Sequence, residues 1–508
     1  MSVMLNSIRQ SIKDSVIYGL GNIAVKVIGF LLIPLYTDPE YFSVNDFGVI
    51  AMLDISGLIL ISIMASGLPQ SLMRWYWDKK YSNDRKGIFF MAVSFQILTG
   101  ILFCLLLFPL SHRISGVIFS STDWTLAIRL LIISSALQAI NNLINTLMRL
   151  QSKSALFSAV NLMKLLTVLF LTVYFIVYRG MGVAGIYLAQ VLGNLLFIII
   201  LAGYTMKNST PFFNFSLFKA MSRYGFPLLL ANFAAAALSA IDRYSLNSLA
   251  LLQYVAIYTL AFKISSVLKL VIVDSVKMAL TPIVFQKMNS PDNKRFYSKT
   301  MLYSSYVLML GIIAVSLFSF EIIRLISRSS EFWSAFVVVP ILSLSVFFVN
   351  MRETTSYGLI INKKTRIVGM NVVISSILNI ILNILLIPEW NITGAATATA
   401  ITQLTYWGLN YYFSQKEYFI PYEKRKAAIM FMTGALLSFA GLLFNEISII
   451  PRLAVKTLCV ISFPFLLYFF GFYETAELHA IKGFIVKWSD LRNLGKNLRS
   501  LKGIQNET

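Results

Sequence analysis

Fourteen runs of about 20 mostly apolar residues follow one another along the chain, at 15–37, 47–68, 87–110, 125–147, 157–178, 182–204, 225–248, 254–277, 300–322, 332–351, 368–387, 392–413, 427–446 and 453–472. A helix rising about 1.5 Å per residue needs about 20 residues to cross a hydrocarbon core of roughly 30 Å. Backbone polar groups must be satisfied within the bilayer, so such runs fold as helices packed on one another. Composition agrees: 57% of the 508 residues are hydrophobic, 13% are charged and the mean hydropathy is +0.74. These values lie outside the range of soluble domains and predict an all-α polytopic membrane protein. The excess of 43 Lys and Arg over 22 Asp and Glu falls mainly in short loops. It therefore marks topology and does not point to nucleic acid. Cys104 and Cys459 sit inside apolar runs and His112 and His479 are far apart, so no disulfide framework and no metal site is expected. The first run is long, is interrupted by Lys26 and lacks a small-residue cleavage site, which predicts a first transmembrane helix and not a cleaved signal.

Basic residues alternate from loop to loop. The 69–86 loop holds Arg74, Lys79, Lys80, Arg85 and Lys86, whereas 38–46 holds none, and the alternation persists through 149–153, 207–223, 287–299, 363–366 and 416–426. By the positive-inside rule both termini are expected in the cytoplasm. An internal repeat at an offset of about 209 residues pairs GVAGIYLAQ (182–190) with ITGAATATA (392–400), DFGVIAML (46–53) with QYVAIYTL (253–260), and RLQSKS with INKKTR. Six helices per half make the halves parallel repeats about an axis along the membrane normal, with a cavity between two bundles. The expected domains are a six-helix lobe at 1–210, a second at 211–415, an accessory pair at 416–473 and a tail at 474–508. The tail repeats Leu478, Ile481, Ile485, Trp488, Leu491, Leu494, Leu498 and Leu501 with basic residues between them, as a basic amphipathic helix lying on an anionic membrane surface would.

Charge inside the spans is costly and marks candidate function. Tyr18, Asn22 and Lys26, four residues apart, share one face of the first helix, with Lys26 about 16 Å deep. Lys263 lies at similar depth in the eighth span, and Asp274, eleven residues on, is three turns away on the same face, with Lys277 close to it. Two ammonium groups, one per half, suit an anionic phosphate passing between the bundles; pairing with carboxylates or snorkelling is the structural alternative. Asp242 and Arg243 point about 100° apart, so each is expected to find partners on neighbouring helices. Asp54, Asp242 and Asp274 are candidates for gating or ion coupling. Lys164, Lys269, Arg129, Arg352 and Glu353 could each reach a membrane face, and Asn141, Asn142, Asn145, Asn194, Asn379, Asn383 and Gln403 are expected to bond between helices.

The stretch YGFPLLLANFAAAALSAIDRYSL (224–246), followed by YVAIYTLAFKIS, resembles the seventh and eighth helices of the polysaccharide-transport family of membrane flippases. SGLPQSLMRWYWD (66–78) and ITGAATATAITQLTYWGLNYYFSQKEYFIPYE (392–423) resemble it as well, in register over essentially the whole chain. The family, which includes O-antigen and other repeat-unit flippases, stands in the superfamily of multidrug extruders and the lipid II flippase. The resemblance implies two six-helix lobes around a V-shaped cavity plus two further helices. It also implies alternating access and movement of an undecaprenyl-pyrophosphate-linked oligosaccharide from the inner to the outer leaflet of a bacterial inner membrane. Expected partners are the lipid-linked oligosaccharide, membrane lipids, and a polysaccharide polymerase with its chain-length regulator. No cofactor is implied beyond a proton or sodium gradient. Lys26 and Lys263 match the family's pyrophosphate-receiving cations by helix and depth. The second helix departs, carrying Asp54 where a cation is expected, which leaves Arg243 or Lys164 as substitutes.

Two other classes compete. A multidrug antiporter shares the architecture but calls for acidic cavity residues, and Lys26 and Lys263 would repel cationic drugs. A membrane polysaccharide polymerase would be an enzyme with catalytic outer loops, whereas the outer connections are short and lack paired carboxylates or a nucleophile with its base.

Overall fold

The computed structural model describes residues 29–479 apart from 82, 287, 289, 363 and 476. The stripe of Tyr18, Asn22 and Lys26, and the tail beyond His479, lie outside the described residues. Long helices dominate: α1 (Val44–Met64), α2 (Leu68–Tyr76), α3 (Arg85–Phe119), α4 (Thr125–Leu150), α5 (Ser154–Val173), α6 (Gly182–Ile200), α7 (Phe215–Leu249) and α8 (Leu252–Leu268). There follow α9 (Ser275–Gln286), α10 (Asn293–Leu317), α11 (Ser319–Ile326), α12 (Val339–Thr355), α13 (Thr365–Glu417), α14 (Lys424–Ala440) and α15 (Ile449–Phe469). Among the described residues eleven helices are long and apolar enough to cross a membrane, and twelve if the bent pair Ser330–Val337 and Val339–Ile361 is one span. The chain is a multi-pass membrane protein.

Local sequence sets several helix starts. Ser43 and Asp46 form a reciprocal capping box at the start of α1, each satisfying a backbone N–H of the other. Asn214 caps α7 through the Leu217 N–H. Between α1 and α2 the chain turns at Gly67, whose φ of +67° suits glycine, and Pro69 stands in the first turn of α2. A Cβ at Gly67 would sit 2.2 Å from the Gly225 carbonyl oxygen, so α2 meets α7 backbone to backbone.

At 53 residues, α13 would be about 80 Å long if straight, too long for one crossing. Asn391, at φ 45° and ψ −121°, breaks it. A Cβ on Gly394 would lie 2.3 Å from the Leu386 carbonyl, so the chain folds back there into two arms. The arms correspond to the runs expected at 368–387 and 392–413. Asn371, Ser375, Asn379 and Asn383, four residues apart and all buried, give the first arm one polar stripe.

Two groups of helices pack internally: α3, α4, α5 and α6 with α1, and α10, α12 and α13 with α7 and α8. A single apolar core joins them at the ends of α1 and α8 that face away from the basic loops, through Ile33, Tyr36, Phe47, Leu246, Val255 and Phe332. Contacts close this face further. Arg328 pairs with Asp38 at 3.0 Å and its backbone N–H donates to the Thr37 hydroxyl. The Asn247 amide donates to the Ile118 carbonyl, and Phe47 meets Phe332 edge-on at 5.3 Å.

The last two helices pack on α10, with Gly434 against Met309 and Gly441 against Leu317. Ion clusters hold the pair at both ends. At the basic face Lys299 pairs with Glu423, Glu474 and Glu477, and Lys426 pairs with Glu423 and Glu474. At the other, Glu321 of α11 binds Arg452 at 2.8 Å and Lys456 at 2.9 Å. Lys456 is fully buried, and its second partner is the Asn445 side-chain oxygen at 2.8 Å.

Candidate functional site

Beneath the closed face, α1, α7 and α8 bring Asp54, Arg243 and Lys263 into electrostatic reach of one another. Among the described residues neither Asp54 nor Lys263 is in a direct ion pair. Asp54 is exposed and accepts one hydrogen bond, from the Tyr187 hydroxyl of α6 at 3.1 Å. Lys263 is half-buried, with its ammonium 5.3 Å from the centre of the Phe47 ring. Arg243 is buried at 4% exposure; its guanidinium donates to the Ser239 carbonyl at 2.7 Å and lies 4.2 Å from the Phe262 ring centre. The rings of Phe47 and Phe262 offer their negative faces to cations that, among the described residues, have no carboxylate in contact.

Asp242 faces another way. Its carboxylate accepts from Tyr258 of α8 at 2.7 Å, from Asn383 of the first arm of α13 at 3.0 Å and from Thr399 of the second arm at 2.6 Å. Asn383 also donates to Asn379, whose amide donates to Thr402. This network borders a cavity of 350 Å³ among α7, α8, α12 and both arms of α13. Ser239, Ser265, Asn379, Gln403 and Arg352 line it along with Asp242. Asp242 and Arg243, adjacent in sequence, both meet α8, but Asp242 is also bound by both arms of α13, whereas Arg243 bonds Ser239 of its own helix and lies against Phe262 of α8. Among the described residues no three His, Cys, Asp or Glu side chains gather as a metal site.

Asp274 and Lys277 do not join this site. A π-helical segment, Lys269–Asp274, stands between α8 and α9, so eleven residues no longer measure three α-turns from Lys263. Asp274 instead pairs with Lys269 at 2.9 Å, and Lys277 pairs with Glu353, which Arg352 also holds. Lys164 donates to Gln138 at 2.6 Å within the first helix group. There Asn141 bonds to Asn194, and Asn145 and Asn161 bond to each other. Arg352 bonds Gln403 across helices.

Sequence reasoning passed over Tyr187 and Tyr258, which supply hydrogen bonds to the two carboxylates. Nothing in the pattern of apolar residues separates a tyrosine that faces a carboxylate from one that anchors at an interface. It also passed over the Glu321, Arg452 and Lys456 cluster. Here a signal existed, since Lys456 interrupts the apolar run at 453–472 as Lys263 interrupts its own.

Comparisons with known proteins bear on this arrangement. A family model described as "Polysaccharide biosynthesis protein" matches residues 11–288. No curated protein sequence matches the chain. Among solved structures the fold is similar to lipid II flippase MurJ in an inward closed conformation, at 14% identity and a TM-score of 0.66, covering 89% of this chain and 99% of that one. It is similar as well to a multidrug resistance MATE family transporter of the MOP superfamily. The inward-facing form of that transporter gives a TM-score of 0.61 at 14% identity, covering 77% of this chain and 97% of that one. Its outward-facing form gives 0.60 at 14% identity, covering 80% and 95%.

Proposed function

The chain belongs to the polysaccharide biosynthesis protein family, and on that premise we propose that it is a flippase for an undecaprenyl-pyrophosphate-linked oligosaccharide, such as an O-antigen or other polysaccharide repeat unit. The lipid-linked sugar passes from the inner to the outer leaflet of a bacterial inner membrane by alternating access, and both termini are cytoplasmic. One observation carries the reading: Lys263 and Arg243 stand inside the apolar body between the two helix groups and, among the described residues, form no direct ion pair, with Asp54 only within electrostatic reach. Burying cations there is costly unless an anion or water serves them, and a diphosphate supplies two negative charges to a point-charge ammonium and a forked guanidinium. Lys26 of the first helix is a third candidate cation. Arg328 with Asp38 and Phe47 with Phe332 close the far face, so release there requires those contacts to part. A proton or sodium gradient is a fitting energy source, with Asp242 and its hydroxyl and amide partners as the candidate coupling site. A polysaccharide polymerase and chain-length regulator would then receive the sugar.

The test is a leaflet-protection assay in liposomes carrying a labelled polyprenyl-diphosphate oligosaccharide. Wild type is expected to render sugar accessible across the bilayer, and Lys263→Ala to leave it protected. Wild type that moves no lipid-linked sugar with any of several glycans, under imposed proton and sodium gradients, would sink the assignment. Cation export would then be tested next.

A further inference from the structure

Among the described residues the charges beneath the closed face balance, two cations against two carboxylates. Lys263 and Arg243 are offset by Asp54 and by Asp242, which lies within reach of Arg243. An arriving dianion gains less from cations that a carboxylate already faces, because the carboxylate offsets part of their attraction. Loss of charge on one of the carboxylates therefore makes the site favour phosphate more. The two differ in what holds them. Asp242 is 5% exposed and committed to three donors on two other helices. Asp54 has a single donor, Tyr187, and is open to water. Asp54 is also the carboxylate that faces Lys263 and Arg243 together.

We infer that Asp54 is the resident counter-anion of the cation pair and takes up one proton from the adjoining water when a diphosphate binds there, handing Lys263 and Arg243 to the ligand. The step is balanced simply: the carboxylate and one water-borne proton give a carboxylic acid, no other bond changes, and the ligand's two charges replace the one that is lost. Two like charges competing for one pair of cations favour the neutral form of the stronger base, here the carboxylate and not the diester phosphate. Among the described residues the titratable and charged groups that face Asp54 are Tyr36 from the segment before α1, Tyr187 from α6, Arg243 from α7 and Lys263 from α8. Tyr244 of α7 adds a hydroxyl to Ser56, two residues along α1. Of these only Asp54 is a carboxylic acid, so it is the group that can gain a proton without displacing a cation's charge.

This inference rests on the lipid-diphosphate reading, and one experiment separates the two. Full-length protein in lipid nanodiscs is titrated calorimetrically with a short-chain prenyl diphosphate N-acetylglucosamine. That probe is a diester, so it lacks the second phosphate ionisation, at about pKa 6, that would blur the result. Titrations run from mildly acid to mildly alkaline pH, each in two buffers of different ionisation heat, for wild type, Asp54→Asn and Lys263→Ala. Wild type is expected to bind more weakly as pH rises and to take up close to one proton per ligand. Asp54→Asn, with a neutral isostere that still accepts from Tyr187, should bind about tenfold tighter at alkaline pH, with a flat profile and no proton uptake. Wild-type binding without proton uptake, or a pH slope that persists in Asp54→Asn, overturns the inference. If Lys263→Ala still weakens binding in that case, the function stands. No binding of the probe by wild type overturns both. The two-buffer measurement on wild type decides the point even if the variant does not fold.

Discussion

Among the described residues Glu321 is the single acid between two buried cations, so Glu321→Gln tests what secures the last two helices. The carboxylate gives both oxygens to Lys456 at 2.9 Å and one to Arg452 at 2.8 Å. Removing its charge leaves Lys456, with no exposed surface, and Arg452, with 9% of its side chain exposed, facing each other uncompensated. Breaking a buried pair in this way costs about 3–5 kcal/mol. Glu321 keeps 18% of its side chain exposed, so water reaches one edge and the lower end, about 3 kcal/mol, applies. At about 1–2 °C per kcal/mol, extrapolated to a chain this long, the apparent melting temperature in detergent should fall by about 3–6 °C. Intrinsic fluorescence during a thermal ramp reads this directly. A triple variant, Glu321→Leu with Arg452→Leu and Lys456→Met, removes all the charges together and should melt near wild type. The reasoning is refuted if Glu321→Gln melts with wild type, or if the triple variant melts as low as Glu321→Gln.

Three further outcomes are expected. Asp242→Ala removes the acceptor shared by the Tyr258 and Thr399 hydroxyls and the Asn383 amide, which keep only the Tyr258–Thr399 and Asn383–Asn379 bonds, and should destabilise the protein by about 1–3 kcal/mol, whereas Asp242→Asn keeps an acceptor and should fold with transport lost; unfolding curves and the leaflet assay on both variants check this. Cysteines at Asp38 and Arg328 joined by a short bifunctional reagent should stop transport until the link is cleaved, and undiminished flipping with the link in place would show that this face need not open. Finally, the hydrogen bond from Lys299 holds the Glu474 carboxyl below the usual range, followed by that from Lys426. A lowered folded-state pKa gives stability that is present above the unfolded value, about 4.3, and lost as pH falls through the folded value. Protease nicking near residues 473–479 should therefore rise below about pH 4 and hold steady above it.

The membrane class and most helix limits were legible because desolvation imposes length and apolar content on every crossing. The reversal at Asn391 was legible as a gap between two apolar runs, and its sharpness follows from the close approach of Gly394. The break before Pro340 was not: the run at 332–351 reads as one span with scattered Ser334, Ser343, Ser345 and Asn350, yet the chain bends by 47° there. Nor does sequence spacing survive the wide turns at Lys269–Asp274, which carried Asp274 away from Lys263. Asp38 and Arg328 are 290 residues apart, and charges on loops carry no record of which loop they meet. Asp54, Arg243 and Lys263 were visible as costly residues, but their sharing of one space depends on how three helices rotate about their axes. A run of leucines and alanines does not fix that rotation.

Gly67 and Gly225 approach backbone against backbone where α2 meets α7. The corner is tied on both sides, by the Ser71 hydroxyl donating to the Met221 carbonyl at 2.9 Å and by Trp75 edge-on to Tyr224 at 5.4 Å. Helices held this close and pinned at two further points act as one rivet, so when the far face parts α7 carries α2 with it, and a single methyl group at either glycine would wedge the joint open.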